Sequence, residues 1–309
     1  MIRKIICIIF SIIWVLNSHS QEFGTHWISY PFPDDSTEVM FRHTYITKHR
    51  PQQAYITFAS MGSCKVYINE RNVSREVYYR NTTPQGILLH TYDVTRYLRP
   101  DSNTIAVWYA PCPQATAYSQ NAASKQLTLD YYGTSHNGSA FYQQADESWS
   151  CSLSEGNRIT QDSIGNTIEV FDNRQYDNSW KASDFFQESE KPVHRLLKET
   201  KGIYTTLPTY PAYVNRLRHV LSPIAEYEDS LGLHYDFGRF FQGSVRITLR
   251  EAKKGERLEI NGLVYICSGE MDEQAFRRLS TSRQKSITIK GDRHFRKSQI
   301  QKIEGLEIY

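Results

Sequence analysis

Reactive groups are present along this chain, but few stand at spacings that perform chemistry. Gly133, Ser135, His136 and Gly138 loosely resemble the elbow that exposes a hydrolase serine on a strand-to-helix turn. Their spacing is wrong by one residue and no helical pattern follows, so the segment reads as a turn. No H-E-x-x-H, phosphate-binding loop or dinucleotide fingerprint occurs. His43, His49, His90, His219, His234 and His294 are scattered and read as surface or sheet residues. No C-x-x-C pair supports a zinc ribbon or a thioredoxin-type centre. One polar group stands out: Glu169, Asp172, Asn173 and Arg174, with Trp180 following. Carboxylates and a guanidinium this close commonly form a salt bridge that pins a loop, with the tryptophan in the core. No catalytic residue is assigned.

The elements that must position these groups are strands. From Glu38 to Tyr132 the pattern has period two, in short segments separated by turn residues, which predicts an antiparallel sandwich. Residues 133–163 read as longer loops around one strand near Trp149, and 187–201 is charged and contains Pro192. In the second half, Val245, Ile247 and Leu249 alternate with Arg246, Thr248 and Arg250, the mark of a strand with one wet face. Asn261-Gly262 suits a two-residue hairpin turn. Residues 271–282 are expected to form a short helix, and 286–290 and 305–309 the final strands.

The first twenty residues read as an export signal, with Arg3 and Lys4 before the apolar run from Ile5 to Leu16. That run of about 12 residues is short of the roughly 20 that span a bilayer, which favours cleavage before Gln21. The expectation is an exported protein, periplasmic or extracellular, with no membrane span once the signal is removed. The formal charge of +3 falls to +1 when Arg3 and Lys4 are lost. Near neutrality argues against nucleic acid or an anionic membrane as partner. Cys64, Cys112, Cys151 and Cys267 allow three pairings, although a chain this long needs no staples and some read as buried free thiols.

Several landmarks, read in order, resemble the accessory β-domains of bacterial family-78-type α-L-rhamnosidases. They are Phe41-Arg42, Val66-Tyr67-Ile68-Asn69, Tyr92-Asp93-Val94-Thr95 with Leu98 and Asn103-Thr104-Ile105, then Glu169 to Arg174, Trp180, and Asp236-Phe237-Gly238 with Gly243. Ile168 and Ser244 stand where that family usually carries glycine and tryptophan. The first sandwich also resembles the galactose-binding-like jelly rolls attached to other glycosidases.

The resemblance implies an all-β protein of two antiparallel β-sandwich domains with long loops. Residues 1–20 would be the signal peptide, 21–190 a jelly-roll domain, 191–205 a linker and 206–309 a second, concanavalin-like β-sandwich. It also implies a carbohydrate site at Glu169, Asp172, Asn173, Arg174 and Trp180. Asp172 and Asn173 would hold Ca²⁺, which takes carboxylate and amide oxygens, Arg174 would donate to sugar hydroxyls, and Trp180 would stack on the ring. Tyr78, Tyr79, Tyr118, Tyr131, Tyr132 and Tyr142, among 21 tyrosines, are further candidates for a glycan surface, although aromatics favour strands for packing alone. In the family the catalytic carboxylates lie in a barrel of about twelve helices, which at about 11 residues per helix and about 5 per connection needs roughly 190 residues. None follow Tyr309 here. The function implied is therefore a non-catalytic carbohydrate-binding or accessory protein of glycan utilisation, its partner a rhamnose-containing glycan or a glycan-processing protein. A glycoside hydrolase completed by a partner chain or using the β-domains, and a remnant of a split rhamnosidase gene, are the alternatives.

Overall fold

The computed structural model describes residues 26–32, 37–60, 63–73, 82–83, 86–87, 89–110, 125–185, 190–196, 217–278 and 280–308. The protein is all-β, as expected. The helical segments among these residues are the short 3-10 turns Thr95–Tyr97, Asn178–Lys181 and Lys297–Gln299.

The first unit is a sandwich of two sheets. One runs His194–Leu196, Trp27–Ser29, Gln126–Thr134, Gln53–Ser60 and His90–Asp93, with Ala140–Gln144 also paired to Gln126–Thr134. The other places Ser150–Gln161 beside Thr37–Ile46, then Ser102–Ala110 and Ser63–Ile68. Successive side chains on a strand point to opposite faces. The inward set therefore includes Val39 and Phe41, Ile56 and Phe58, Ile105 and Val107, and Leu127 and Leu129, all without measurable exposure. They pack with Trp149 as one core.

The opposite face of the second sheet is not given to water. It carries Glu38, Met40 and Arg42, Lys65 and Tyr67, and Ala106 and Trp108. Trp108 stands opposite both Met40 and Lys65 in register. Trp180, carried by the turn Asn178–Lys181, packs on Met40, Ala106 and Trp108 as a second buried layer. Arg42 fixes that cover by donating to the Phe185 and Ala182 carbonyls at 2.7 and 2.6 Å and to Glu190 at 3.2 Å.

The second unit is built on one 19-residue strand, Gly232–Arg250. Its first half pairs with Ala225–Asp229 and Ser282–Gly291, and its second half with Asp272–Phe276 and Ile300–Ile308. Gly243 lies where a Cβ would collide with the Leu306 carbonyl oxygen, so the close approach of those strands requires glycine. Arg257–Ile260 and Leu263–Ile266 form the expected hairpin, with φ of 35° at Asn261 and 79° at Gly262.

Three expectations change. The helix expected at 271–282 is absent among its described residues: Asp272–Phe276 is a strand, with Glu273 and Ala275 buried and Asp272 and Gln274 exposed. That alternation is period two, and it satisfies the backbone of the long strand's second half. Residues 133–163 hold two strands, Ala140–Gln144 and Ser150–Gln161. Lys191–Pro192 and His194–Leu196, inside the expected linker, pair with Ser150–Gln161 and Trp27–Ser29. Cys64, Cys151 and Cys267 are buried free thiols; Cys112, Tyr78, Tyr79 and Tyr118 lie outside the described residues.

A single strand joins the units. Thr167–Asp172 pairs antiparallel with Ser150–Gln161 on one edge and parallel with Leu263–Ile266 on the other, so one sheet of fifteen strands runs through both units. Phe171 belongs to this strand but is buried in the second unit's core with Tyr235, Ile260 and Tyr265. Phe171→Ala should cost about 3–5 kcal/mol. Urea unfolding followed by circular dichroism and by tryptophan fluorescence should give coincident transitions, because shared pairing couples the two cores.

Candidate functional site

Where the covered face of the first unit meets the second unit, the chain encloses a cleft of about 670 Å³. Its first wall carries Lys65, Tyr67 and Trp108. The facing wall carries Tyr265, Glu273, Phe276 and Arg278, and residues 176–179 with Lys181 close one side. A binding site of this size is within the range of small-molecule pockets.

Burial shapes its charges. Arg278 lies over the rings of Phe171 and Tyr176 at 4.0 and 4.5 Å. Lys65 lies over Trp108 at 5.2 Å, and burial followed by repulsion from Arg278 lowers its amine to about 8. The same two causes, in the same order, lower Lys181, whose ammonium stands over Tyr67 at 4.7 Å. Behind the first wall, Glu38 is completely buried, and desolvation raises its carboxyl well above the ordinary 4.5. It accepts hydrogen bonds from Trp108 Nε1 at 2.7 Å and Asn157 Nδ2 at 2.6 Å.

The residues marked in the sequence do not converge on one point. Glu169 is fully buried and accepts from the Arg278 backbone N–H at 2.6 Å. Asp172 is bound by Arg174 through Nε at 2.9 Å and Nη2 at 2.6 Å, which holds its carboxyl below the usual carboxylate range. Asn173 does line the cleft, and its Nδ2 donates to Glu273 at 2.9 Å. Trp180 is 1% exposed and packs under the cleft, so it offers no face to a sugar ring.

These contacts do not suit Ca²⁺ at Asp172 and Asn173. A cation would have to displace the Arg174 guanidinium from both Asp172 oxygens, while Asn173 is turned toward Glu273. Among the described residues no three His, Cys, Asp or Glu side chains cluster as a metal site. The pair is better described as the salt bridge that closes the turn after the bridging strand.

The other residues of the cleft are hidden in the sequence by parity. Lys65 and Tyr67 alternate with buried Cys64, Val66 and Ile68, and such residues read as solvent-facing. Nothing local in the sequence says that a second unit covers them. Glu273 falls in the segment whose pattern suggests a helix, yet it is the acceptor on which Asn173, Tyr265, and the Ser268 and Gly269 N–H groups converge at 2.8 to 3.1 Å.

The cleft offers aromatic faces beside polar donors and acceptors, an arrangement suited to binding a polyhydroxylated ring. A glycosidase needs an acid and a base or nucleophile roughly 5 to 10 Å apart across the scissile bond. Of the carboxylates here, Glu273 is committed to its donors, Asp272 to Arg250 at 2.8 Å and Asp177 to the Ser179 N–H, Glu38 is buried behind the wall, and Glu270 is exposed. A separate cavity of about 410 Å³ at the end of the first sandwich is lined by Tyr45, Tyr131, Phe141, His49 and His136.

The two-unit β architecture is similar in fold to that of solved enzymes. The chain belongs to the α-L-rhamnosidase N-terminal domain family, whose description matches residues 49–211. It is similar in structure to the α-L-rhamnosidase of Dictyoglumus thermophilum, with a TM-score of 0.79 at 19% identity, covering 93% of this chain and 36% of that one. The Aspergillus terreus enzyme gives 0.72 at 15% identity over 92% of this chain and 36% of that one. The Streptomyces avermitilis enzyme, solved with L-rhamnose, gives 0.71 at 18% over 90% and 29%. The chain thus spans about a third of the length of these relatives. A search of curated proteins finds no sequence match.

Glu38 provides a pH test of the buried wall. The folded state binds its proton more tightly than the unfolded chain, so its contribution is full at low pH. It is lost as pH rises past 4.5 toward the higher folded-state value. Glu38→Gln removes this term. The stability of the variant relative to the parent, from urea midpoints, should therefore rise as the pH is raised above 4.5.

Proposed function

We propose that this chain is an exported, non-catalytic carbohydrate-recognition unit of the α-L-rhamnosidase type, and that it holds its glycan in the cleft between the two β-units. The observation that carries this reading is the cleft's composition. Tyr67 and Tyr176 present rings within one cavity, next to Asn173 and Lys181, whose polar atoms suit sugar hydroxyls. Family membership supports a role in glycan processing, and the Streptomyces relative's complex with L-rhamnose makes rhamnose-containing glycans the first ligands to try. Export rests on the basic and apolar character of the first twenty residues. Among the described residues no helix is long and apolar enough to cross a membrane.

The test is affinity electrophoresis and calorimetry of the full chain against rhamnose-containing polysaccharides and their oligosaccharides. Binding should be measurable in the presence of chelator, because Asp172 is committed to Arg174. Tyr176→Ala should weaken it by about tenfold, as removal of a central aromatic contact does. Failure to bind any rhamnose-containing glycan would defeat the proposal.

A further inference from the structure

One acid of the cleft, Glu270, is exposed with no cation partner among the described residues, and the more enclosed acidic and basic groups are unequally satisfied. Glu273 receives four donors, two of them backbone N–H groups. Asp272 pairs with Arg250, and Asp177 caps the turn below Trp180 by accepting from the Ser179 N–H at 2.8 Å. The cations have weaker company. Lys181 donates to the neutral amide oxygen of Asn178 at 2.7 Å. Arg278 is held by ring faces, and its Nε is buried with no acceptor among the described residues. Glu38 and Glu169 stand nearby but are turned to Trp108 and Asn157, and to the Arg278 backbone.

A guanidinium kept partly out of water without an acceptor is costly, and the anion that matches it best is a carboxylate received through two parallel N–H groups. Stacking on Phe171 and Tyr176 fixes the guanidinium plane before any ligand arrives, so little freedom is lost on binding. Lys65 adds a third positive group to the same cavity, and the aromatic rings beside it suit the apolar face of a pyranose.

We propose that the glycan bound in this cleft is acidic: a saccharide containing a uronic acid, with its carboxylate received by Arg278 and Lys181. The assignment rests on the recognition function proposed above and names the ligand class for that same site. No bond is made or broken. The ligand is an ionised sugar acid in which the neutral ring contacts the tyrosines and the carboxylate meets the two cations.

The experiment compares three probes on the full chain by calorimetry: L-rhamnose, a rhamnose–galacturonate disaccharide, and the methyl ester of that disaccharide. The ionised disaccharide should bind about tenfold or more tightly than its ester, the difference expected for one charge-assisted pair. Added sodium chloride should reduce that preference, and Lys181→Gln and Arg278→Gln should each abolish most of it. Lys181→Gln keeps the test sound if loss of Arg278 disturbs the aromatic stack, and thermal unfolding of both variants identifies such a disturbance. Equal binding of acid and ester, unchanged in Lys181→Gln, would overturn the acidic ligand while leaving glycan recognition standing. Absence of binding by all three probes, with a rhamnose-containing polysaccharide also unbound, would overturn both.

Discussion

The backbone pairing of one six-residue strand, Thr167–Asp172, holds this architecture together. Its two edges face different units: Ser150–Gln161 pairs antiparallel on one side, Leu263–Ile266 parallel on the other. Hydrogen bonds from the Glu169 N–H to Gly262 and from the Asn173 N–H to Ile266, both 2.9 Å, extend the parallel ladder at each end. Because a strand has only two edges, this arrangement leaves no room for the units to separate without exposing a ladder. It also sets Lys65, Tyr67 and Trp108 against Glu273, Phe276 and Arg278, and the cleft is a consequence of that placement.

Charge burial follows from the same constraint. Covering the outer face of a sandwich sheet removes water from Glu38, Lys65 and Glu169, which would otherwise stand in solvent. Each then needs a partner or a shifted proton equilibrium. Glu38 finds Trp108 and Asn157, Glu169 finds the Arg278 backbone, and Lys65 is pushed toward its neutral form. Arg278 is different, since its guanidinium is held by ring faces and its Nε has no acceptor among the described residues. That asymmetry is the feature on which the proposed ligand site rests.

The sequence carried the inward faces well, because period-two alternation at Val39 and Phe41 or at Ile105 and Val107 is a local property of the chain. The Asn261-Gly262 turn was legible for the same reason. The strand Asp272–Phe276 was not: its five residues include two buried positions, Glu273 and Ala275, and a buried acid is no signal of a strand until its four donors are known. The candidate site was legible only in part. Asn173 lies in the cleft, whereas Asp172 and Arg174 satisfy each other and Trp180 lies in the layer beneath. Arg278 and Glu273 gave no local signal, because their roles depend on a pairing between segments about a hundred residues apart. The family resemblance pointed to the turn after the bridging strand, where the contacts join Asp172 to Arg174 and bury Trp180.

The account centres on the claim that the junction cleft is where this protein meets its ligand. A crystal structure of the full chain with the rhamnose–galacturonate disaccharide tests it most directly. The account predicts ligand density between Tyr176 and Glu273, with the carboxylate at the Arg278 and Lys181 nitrogens. Density in the cavity beside Tyr131 and His136 instead, with the junction cleft unchanged, would contradict it.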